Sequence, residues 1–224
     1  MTADGVRHHL KERRRERERD LSRQDILAAA ERVFSSDGFD AATMEAIAVA
    51  AGFSVGSLYN FFPSKADLCR NVIENILAEL VAQLDLLTAK DGAVSALRSF
   101  VRIRVQDIER HWGFFKMMAA GGIGGGKGDG SVPIHALFDQ FHRTLIDRLT
   151  SLIGALPRAD DPDADDPVTV ALAVDGFVLA ASRYWSHQAP KARLCDKLPM
   201  IERMALRIAG VSGIKLQDYE AKAL

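Results

Sequence analysis

Residues 43–65 read TMEAIAVAAGFSVGSLYNFFPSK, two short helix-forming runs on either side of a single glycine. Starting at Met44, the run has the length of a helix-turn-helix, a unit of about twenty residues that lays its second helix in a DNA groove. Gly52 falls in the tight turn, where the backbone needs positive φ and a Cβ would cost roughly 1 kcal/mol or more. Ala48, four residues earlier, is small enough for the second helix to cross closely above it. Ile47, Ala51, Phe53, Leu58 and Phe61 recur at the three- and four-residue spacings that fill the angle between two helices.

Both helix starts are marked. Thr43 and Ser54 stand immediately before the two runs, where a side-chain oxygen accepts from an otherwise unpaired backbone N–H. Pro63 ends the second run, and Ser64 opens the next helix in an S-x-x-D capping box with Asp67. In the second helix the outward positions are Val55, Gly56, Ser57, Tyr59 and Asn60, all uncharged and mostly small. Lys65 stands in the first turn of the following helix, where a cation opposes the helix dipole and a nearby phosphate would rationalise it.

The string GFSVGSLYNFFPSK, followed by Asp67 and Leu68, resembles the recognition-helix signature of the TetR family of bacterial regulators. The resemblance is dense over residues 23–70 and thin beyond, where length and all-helical patterning agree. It implies that Thr43, Gly56, Ser57, Tyr59 and Lys65 lie near the phosphate backbone. Val55, Asn60 and Phe61 then face bases or the groove wall. Phe61 departs from the family pattern, where Tyr or His is common. A phenylalanine cannot hydrogen-bond, so apolar contact with a thymine methyl would stand in its place.

The chain has 224 residues, 48% of them apolar, enough to bury a sizeable core in one or two units. Formal net charge is −1. Residues 1–70 hold 11 Lys and Arg against 11 Asp and Glu, so the DNA-binding segment is not basic as a whole. Eight of those cations fall in the first 23 residues, interleaved with Asp4, Glu12, Glu16, Glu18 and Asp20. Two readings stay open for this arm: a solvated, frayed helical segment with i,i+4 ion pairs, or arginines that reach a minor groove. The polar N-terminus and the lack of an uninterrupted apolar run of membrane-spanning length make a cytoplasmic protein, without a membrane partner, the expectation. Cys69 and Cys195 match no metal or redox spacing and read as free thiols.

The expected architecture is all-α, an N-terminal three-helix DNA-binding domain followed by a helical ligand-binding and dimerisation domain. The boundaries are a charged arm at 1–21, the DNA-binding domain at 22–70 with its helix-turn-helix at 43–62, the helical domain at 71–213, and a tail at 214–224. The first helix is expected to start at Ser22, in a box with Asp25, and to stop at Gly38. A fourth helix, from Lys65 to about Thr88, carries Leu68, Val72, Ile76, Leu80, Leu84 and Leu87 and is long enough to bridge two domains. Residues 93–110 are apolar on more than one face and predict a central buried helix. A glycine-rich run and the acidic stretch PRADDPDADDP read as connectors. Residues 121–127 spell G-x-x-x-x-G-K, but Gly128 supplies no hydroxyl for magnesium and no strand precedes the run, so nucleotide binding is not expected.

The eighth helical segment, VTVALAVDGFVLAASRYW, is apolar nearly all round and needs cover from outside its own core. TetR-like proteins typically pair their last two long helices into a homodimer, and Ala173, Gly176, Ala180 and Ala181 would permit close crossing. The resemblance thus implies a dimer on a two-fold-symmetric double-stranded operator, most simply a repressor released by a small-molecule effector. Phe100, Arg104, Phe114, Met117, Met118, Phe138, Phe141, His142 and Trp185 are the candidate pocket walls, suited to an apolar or aromatic molecule or else plain core. His135 and His142 share a helical face without a third ligand, so no metal is expected. No cofactor, catalytic residue or enzymatic activity is expected. The alternative is a helical ligand-binding or adaptor dimer with little or no DNA binding.

Overall fold

Helix follows helix in a computed structural model that describes residues 3–87, 92–119, 134–156, 166–188 and 193–211. These are α1 (Ala3–Asp37), α2 (Met44–Ala51), α3 (Val55–Phe61), α4 (Lys65–Asp85), α5 (Ala93–Arg110), α6 (Trp112–Ala119), α7 (Ile134–Gly154), α8 (Pro167–Gln188) and α9 (Leu198–Ile208). A 3₁₀ turn, Leu194–Lys197, leads into α9. There is no strand among the described residues, and the all-α expectation holds. The glycine-rich motif at 121–127, the stretch 157–165, the tail beyond 211 and the side chains of Met118 and His135 lie outside the described residues.

The chain divides into two units. The first takes residues 1–76 and 113–134, and the second takes 77–112 and 135–224, so the boundaries fall within α4 and α6 rather than at residue 70.

In the first unit, α1 packs against α2 and α2 against α3. Ile26, Leu27, Ala30 and Phe34 of α1, Ile47 and Ala48 of α2, Leu58 of α3 and Leu68, Val72 and Ile73 of α4 are buried. Gly113 brings the start of α6 close to α1: a Cβ there would lie 3.0 Å from that of Ser35. The next residue, Phe114, sets its ring 6.5 Å from Phe34. Phe114 and Met117, two of the candidate pocket walls, are buried in this unit.

One boundary changes. α1 begins at Ala3, not Ser22, and runs for 35 residues. Ser22 caps nothing; its hydroxyl donates to the carbonyl of Glu18 at 2.9 Å, one turn back inside the helix. The arm is rich in Arg and Glu, good helix formers, and Arg14 pairs with Glu18 at 2.8 Å, so the capping signal is overridden.

In the second unit α5 is central, packed by α8, α9 and the 3₁₀ turn. Leu97, Phe100, Val101, Val105 and Ile108 meet Leu145, Leu149 and Ile153 of α7, Val174 and Val178 of α8, and Ile201 and Ala205 of α9 in one core. That core also holds charge. Arg104 donates to Asp175 Oδ1 at 3.2 Å and lies 4.0 Å from Asp107, all three side chains at most 7% exposed.

Candidate nucleic-acid interface

The helix-turn-helix is built from caps that the local sequence supplies. Thr43 Oγ1 accepts from Ala46 N at 3.1 Å and opens α2, and Ser54 Oγ accepts from Ser57 N at 3.1 Å and opens α3. α2 closes in a Schellman motif: Gly52 N–H donates to Val49 O at 3.2 Å and Phe53 N–H to Ala48 O at 2.9 Å. Gly52 has φ 76°, while a Cβ there would meet nothing within 4 Å. Its backbone angle demands the glycine, not crowding.

Burial sorts the expected contacts. Gly56, Tyr59 and Asn60 are exposed on α3, Val55 and Ser57 half-buried, and Thr43 exposed at the head of α2. The Thr43 oxygen accepts within the cap, leaving its hydroxyl hydrogen as a donor. Ser57 Oγ shares a 2.8 Å hydrogen bond with Ser54 Oγ. Gly56 stands apart. Its φ is not positive, and a Cβ would meet nothing within 4 Å. Glycine within a helix costs roughly 0.5–1 kcal/mol relative to alanine, and nothing among the described residues asks for one here. The open surface above Gly56 admits close approach by another molecule.

Two expected contacts are engaged within the protein. Lys65 Nζ donates to the carbonyls of Phe39, Asp40 and Ala42 at 2.7, 3.1 and 2.8 Å, and stands 4.7 Å from the centroid of the Phe39 ring. These three acceptors use all three ammonium protons, so Lys65 latches the first turn of α4 to the α1–α2 connection instead of standing free for a phosphate. Phe61 is half-buried, its ring 6.3 Å from Phe53, 6.5 Å from Phe62 and 5.8 Å from the guanidinium carbon of Arg19. It is a packing platform rather than a free groove contact. The fully buried aromatic is Phe62, whereas Ala51 and Phe53 are half-buried. The two phenylalanines are adjacent, and which of them turns inward depends on packing against other helices.

The second half of the box at α4 also changes. Ser64 Oγ accepts from Asp67 N at 3.1 Å, but the Asp67 carboxylate pairs with Arg70. Arg70 also reaches Glu74 at 2.8 Å. Burial pushes the Cys69 thiol up to about 12, with Lys65 opposing, so it stays protonated and unreactive near neutral pH.

α1 bears on this site as well. Arg23 stacks over Phe62 at 4.8 Å and hydrogen-bonds Asn71 Oδ1. A continuous helix is about 10 Å wide with its side chains, against a minor groove of about 6 Å, so residues 3–21 do not thread that groove as an extended arm would.

Of the pocket candidates in the second unit, Phe100 is fully buried in the core, and Phe141 and Trp185 are half-buried against it. Phe138 is half-buried. His142 is 55% exposed, with Nδ1 4.0 Å from Asp175 Oδ2, and Arg104 is committed to Asp175 and Asp107. Sequence pattern did not single out Asp107, Asp175 and Glu202, acids spaced as helix-core positions. Their apolar neighbours were the available signal.

Residues 26–72 match the model of the bacterial regulatory proteins of the tetR family. An uncharacterized HTH-type transcriptional regulator of Bacillus subtilis, YfiR, is 31% identical over 83 residues, 37% of this chain and 40% of that protein. The chain thus aligns with less than half the length of this curated relative. Two solved structures share the fold. FadR from Bacillus subtilis in complex with stearoyl-CoA has TM-score 0.62 at 14% identity, over 86% of this chain and 99% of that one. The SmeT–triclosan complex has TM-score 0.63 at 18% identity, over 84% and 90%. The capped helix-turn-helix thus lies inside residues that match the tetR family of bacterial regulatory proteins, and the helices beyond them share the fold of these solved structures.

Proposed function

We propose that this chain is a homodimeric, ligand-responsive repressor that places two copies of α3 on a two-fold-symmetric operator. The observation that carries the reading is the outer surface of α3. Its helix start is capped, its outward residues are uncharged, and Gly56 leaves an opening that nothing among the described residues requires. Val55 and Asn60 face bases, while Thr43, Gly56, Ser57 and Tyr59 lie along the backbone. Its place of action is the cytoplasm, where bacterial DNA is.

The dimer rests on α8. Val168, Leu172, Leu179 and Tyr184 are 45–57% exposed and recur with Ala173, Gly176 and Ala180 on its outward side. Such a stripe, with Met204 of α9 also exposed, fits a second copy packed helix to helix. α8 is also long and apolar enough to cross a membrane by length and composition. A second copy is favoured because α8 carries buried Asp175 paired to Arg104, and its other side lies in the core.

The effector is an apolar or aromatic molecule lodged in the helical unit beside Phe138, Phe141 and Trp185. The structural neighbours solved with stearoyl-CoA and with triclosan support that class. Binding biases the dimer toward a spacing of recognition helices that fits the operator poorly. A coupling of roughly 1–3 kcal/mol is sufficient.

The test is selection of genomic DNA fragments by the purified protein, then titration of the best fragment at several salt concentrations. A two-fold-symmetric site, bound with strong salt dependence and released by an apolar ligand, is the expected result. A folded dimer that enriches no site would establish the adaptor reading instead.

A further inference from the structure

A helix in the major groove lies between two phosphate backbones, and each phosphate neutralised by a cation releases a counterion and strengthens binding. α3 supplies no cation of its own. The charges around it are largely spent. Lys65 is held by three carbonyls, Arg70 by Asp67 and Glu74, and Arg23 by Phe62 and Asn71.

Arg19 differs. It is exposed, stands over the ring of Phe61 at the end of α3, and makes no hydrogen bond or ion pair among the described residues. Arg15, one turn earlier on the same side of α1, is exposed too and likewise makes none. The acid nearest to Arg19 in sequence on its N-terminal side, Glu18, is taken up by Arg14.

We propose that Arg19 and Arg15 form a phosphate-binding surface that flanks α3 on the DNA, with the Phe61 ring holding the Arg19 guanidinium in place. The proposal rests on the DNA-binding reading of α3. A guanidinium stacked on a ring through its face keeps its N–H donors at the edge, where their fork matches two phosphate oxygens. Phe61 needs no polar atom for this task. The continuous α1 carries these cations on a rigid element, so less conformational freedom is lost on binding than from a flexible arm. The contacts are to the backbone and are independent of base sequence.

The test compares full-length wild type, Arg19→Gln, Arg15→Gln/Arg19→Gln and Phe61→Leu on the fragment the wild type selects, across a salt series. Arg19→Gln should weaken binding roughly tenfold at low salt and reduce the log–log salt slope by about one, the double variant by about two. The loss should be uniform across operator variants, and thermal unfolding should be unchanged because both arginines are exposed. In the Phe61→Leu background, Arg19→Gln should cost less than in the wild type. If the double variant keeps wild-type affinity and slope on a site the wild type binds in a salt-dependent way, the proposal falls and the DNA-binding reading stands. If the wild type selects no DNA, both fall together.

Discussion

Lys65 Nζ sits 2.7 Å from the carbonyl oxygen of Phe39 and 4.7 Å from the centroid of that residue's ring, so one residue receives the cation through both its backbone and its side chain. With Asp40 and Ala42 supplying two more carbonyls, the ammonium gathers the α1–α2 connection onto the head of α4. Lys65→Met keeps the apolar stem and removes the charge. It should lower unfolding stability by about 1–3 kcal/mol in urea titrations. The salt slope of DNA binding should stay at the wild-type value; a slope reduced by about one would make Lys65 a phosphate contact after all.

Gly52 and Gly56, four residues apart, should respond oppositely to alanine. Gly52→Ala forces a Cβ into φ 76° and should cost about 1–2 kcal/mol of stability. Gly56→Ala meets no neighbour and should leave stability unchanged or raise it by about 0.5–1 kcal/mol, while weakening operator binding. Thermal unfolding and DNA titration of the two variants separate the roles. Undiminished DNA affinity in Gly56→Ala would remove the close-approach argument.

The buried Arg104 serves two carboxylates, Asp175 and Asp107. Arg104→Met should destabilise by about 3–5 kcal/mol, since it takes the arginine from two buried acids and leaves Asp107 only His111 at 3.7 Å and Asp175 only His142 at 4.0 Å as ion-pair partners among the described residues. Adding Asp175→Leu should recover part of that loss, because one stranded charge goes with it. Chemical denaturation of the single and double variants measures this; strictly additive losses would mean that the pair is not coupled.

Glu202 is buried, and its carboxyl is raised from the ordinary value by desolvation, which outweighs the lowering by Arg102 and Arg98. A raised carboxyl favours the folded state fully below its unfolded value, and that contribution is lost as pH rises through the folded one. Glu202→Gln does not titrate. As pH rises from about 4, the ordinary glutamate range, through the raised folded value, the stability difference should therefore move in favour of the Gln variant. Denaturation of the two proteins at several pH values isolates this group. A constant difference would contradict the raised carboxyl.

Leu172 and Leu179 are 48% and 50% exposed on α8. Leu172→Asp/Leu179→Asp should yield a folded monomer by light scattering, with operator affinity reduced by at least roughly tenfold because two half-sites are no longer engaged together. A dimer that persists would place the interface elsewhere.

What could be read in the chain alone lies within a few residues. The caps at Thr43, Ser54 and Ser64 and the turn at Gly52 bond partners three to five positions away, so the order of residues nearly determines them. The central burial of α5 was likewise visible, because a helix with apolar residues on more than one face must be covered by neighbours on more than one side. The start of α1 was not, since the S-x-x-D box at Ser22 is the same string whether or not helix already precedes it. The roles of Lys65, Arg19 and Arg104 depended on partners far along the chain: Phe39, 26 residues before Lys65; Phe61, near Arg19 across α3; and Asp175, 71 residues beyond Arg104. A charged side chain looks alike in sequence whether it meets water, phosphate or a buried carbonyl. Sequence by itself determined the helix-turn-helix, its caps and its turn, because hydrogen bonds within a turn of helix are local. Which cations are spent inside the protein and which stand free was decided only by the tertiary structure, because long-range packing brings the competing acceptors into reach.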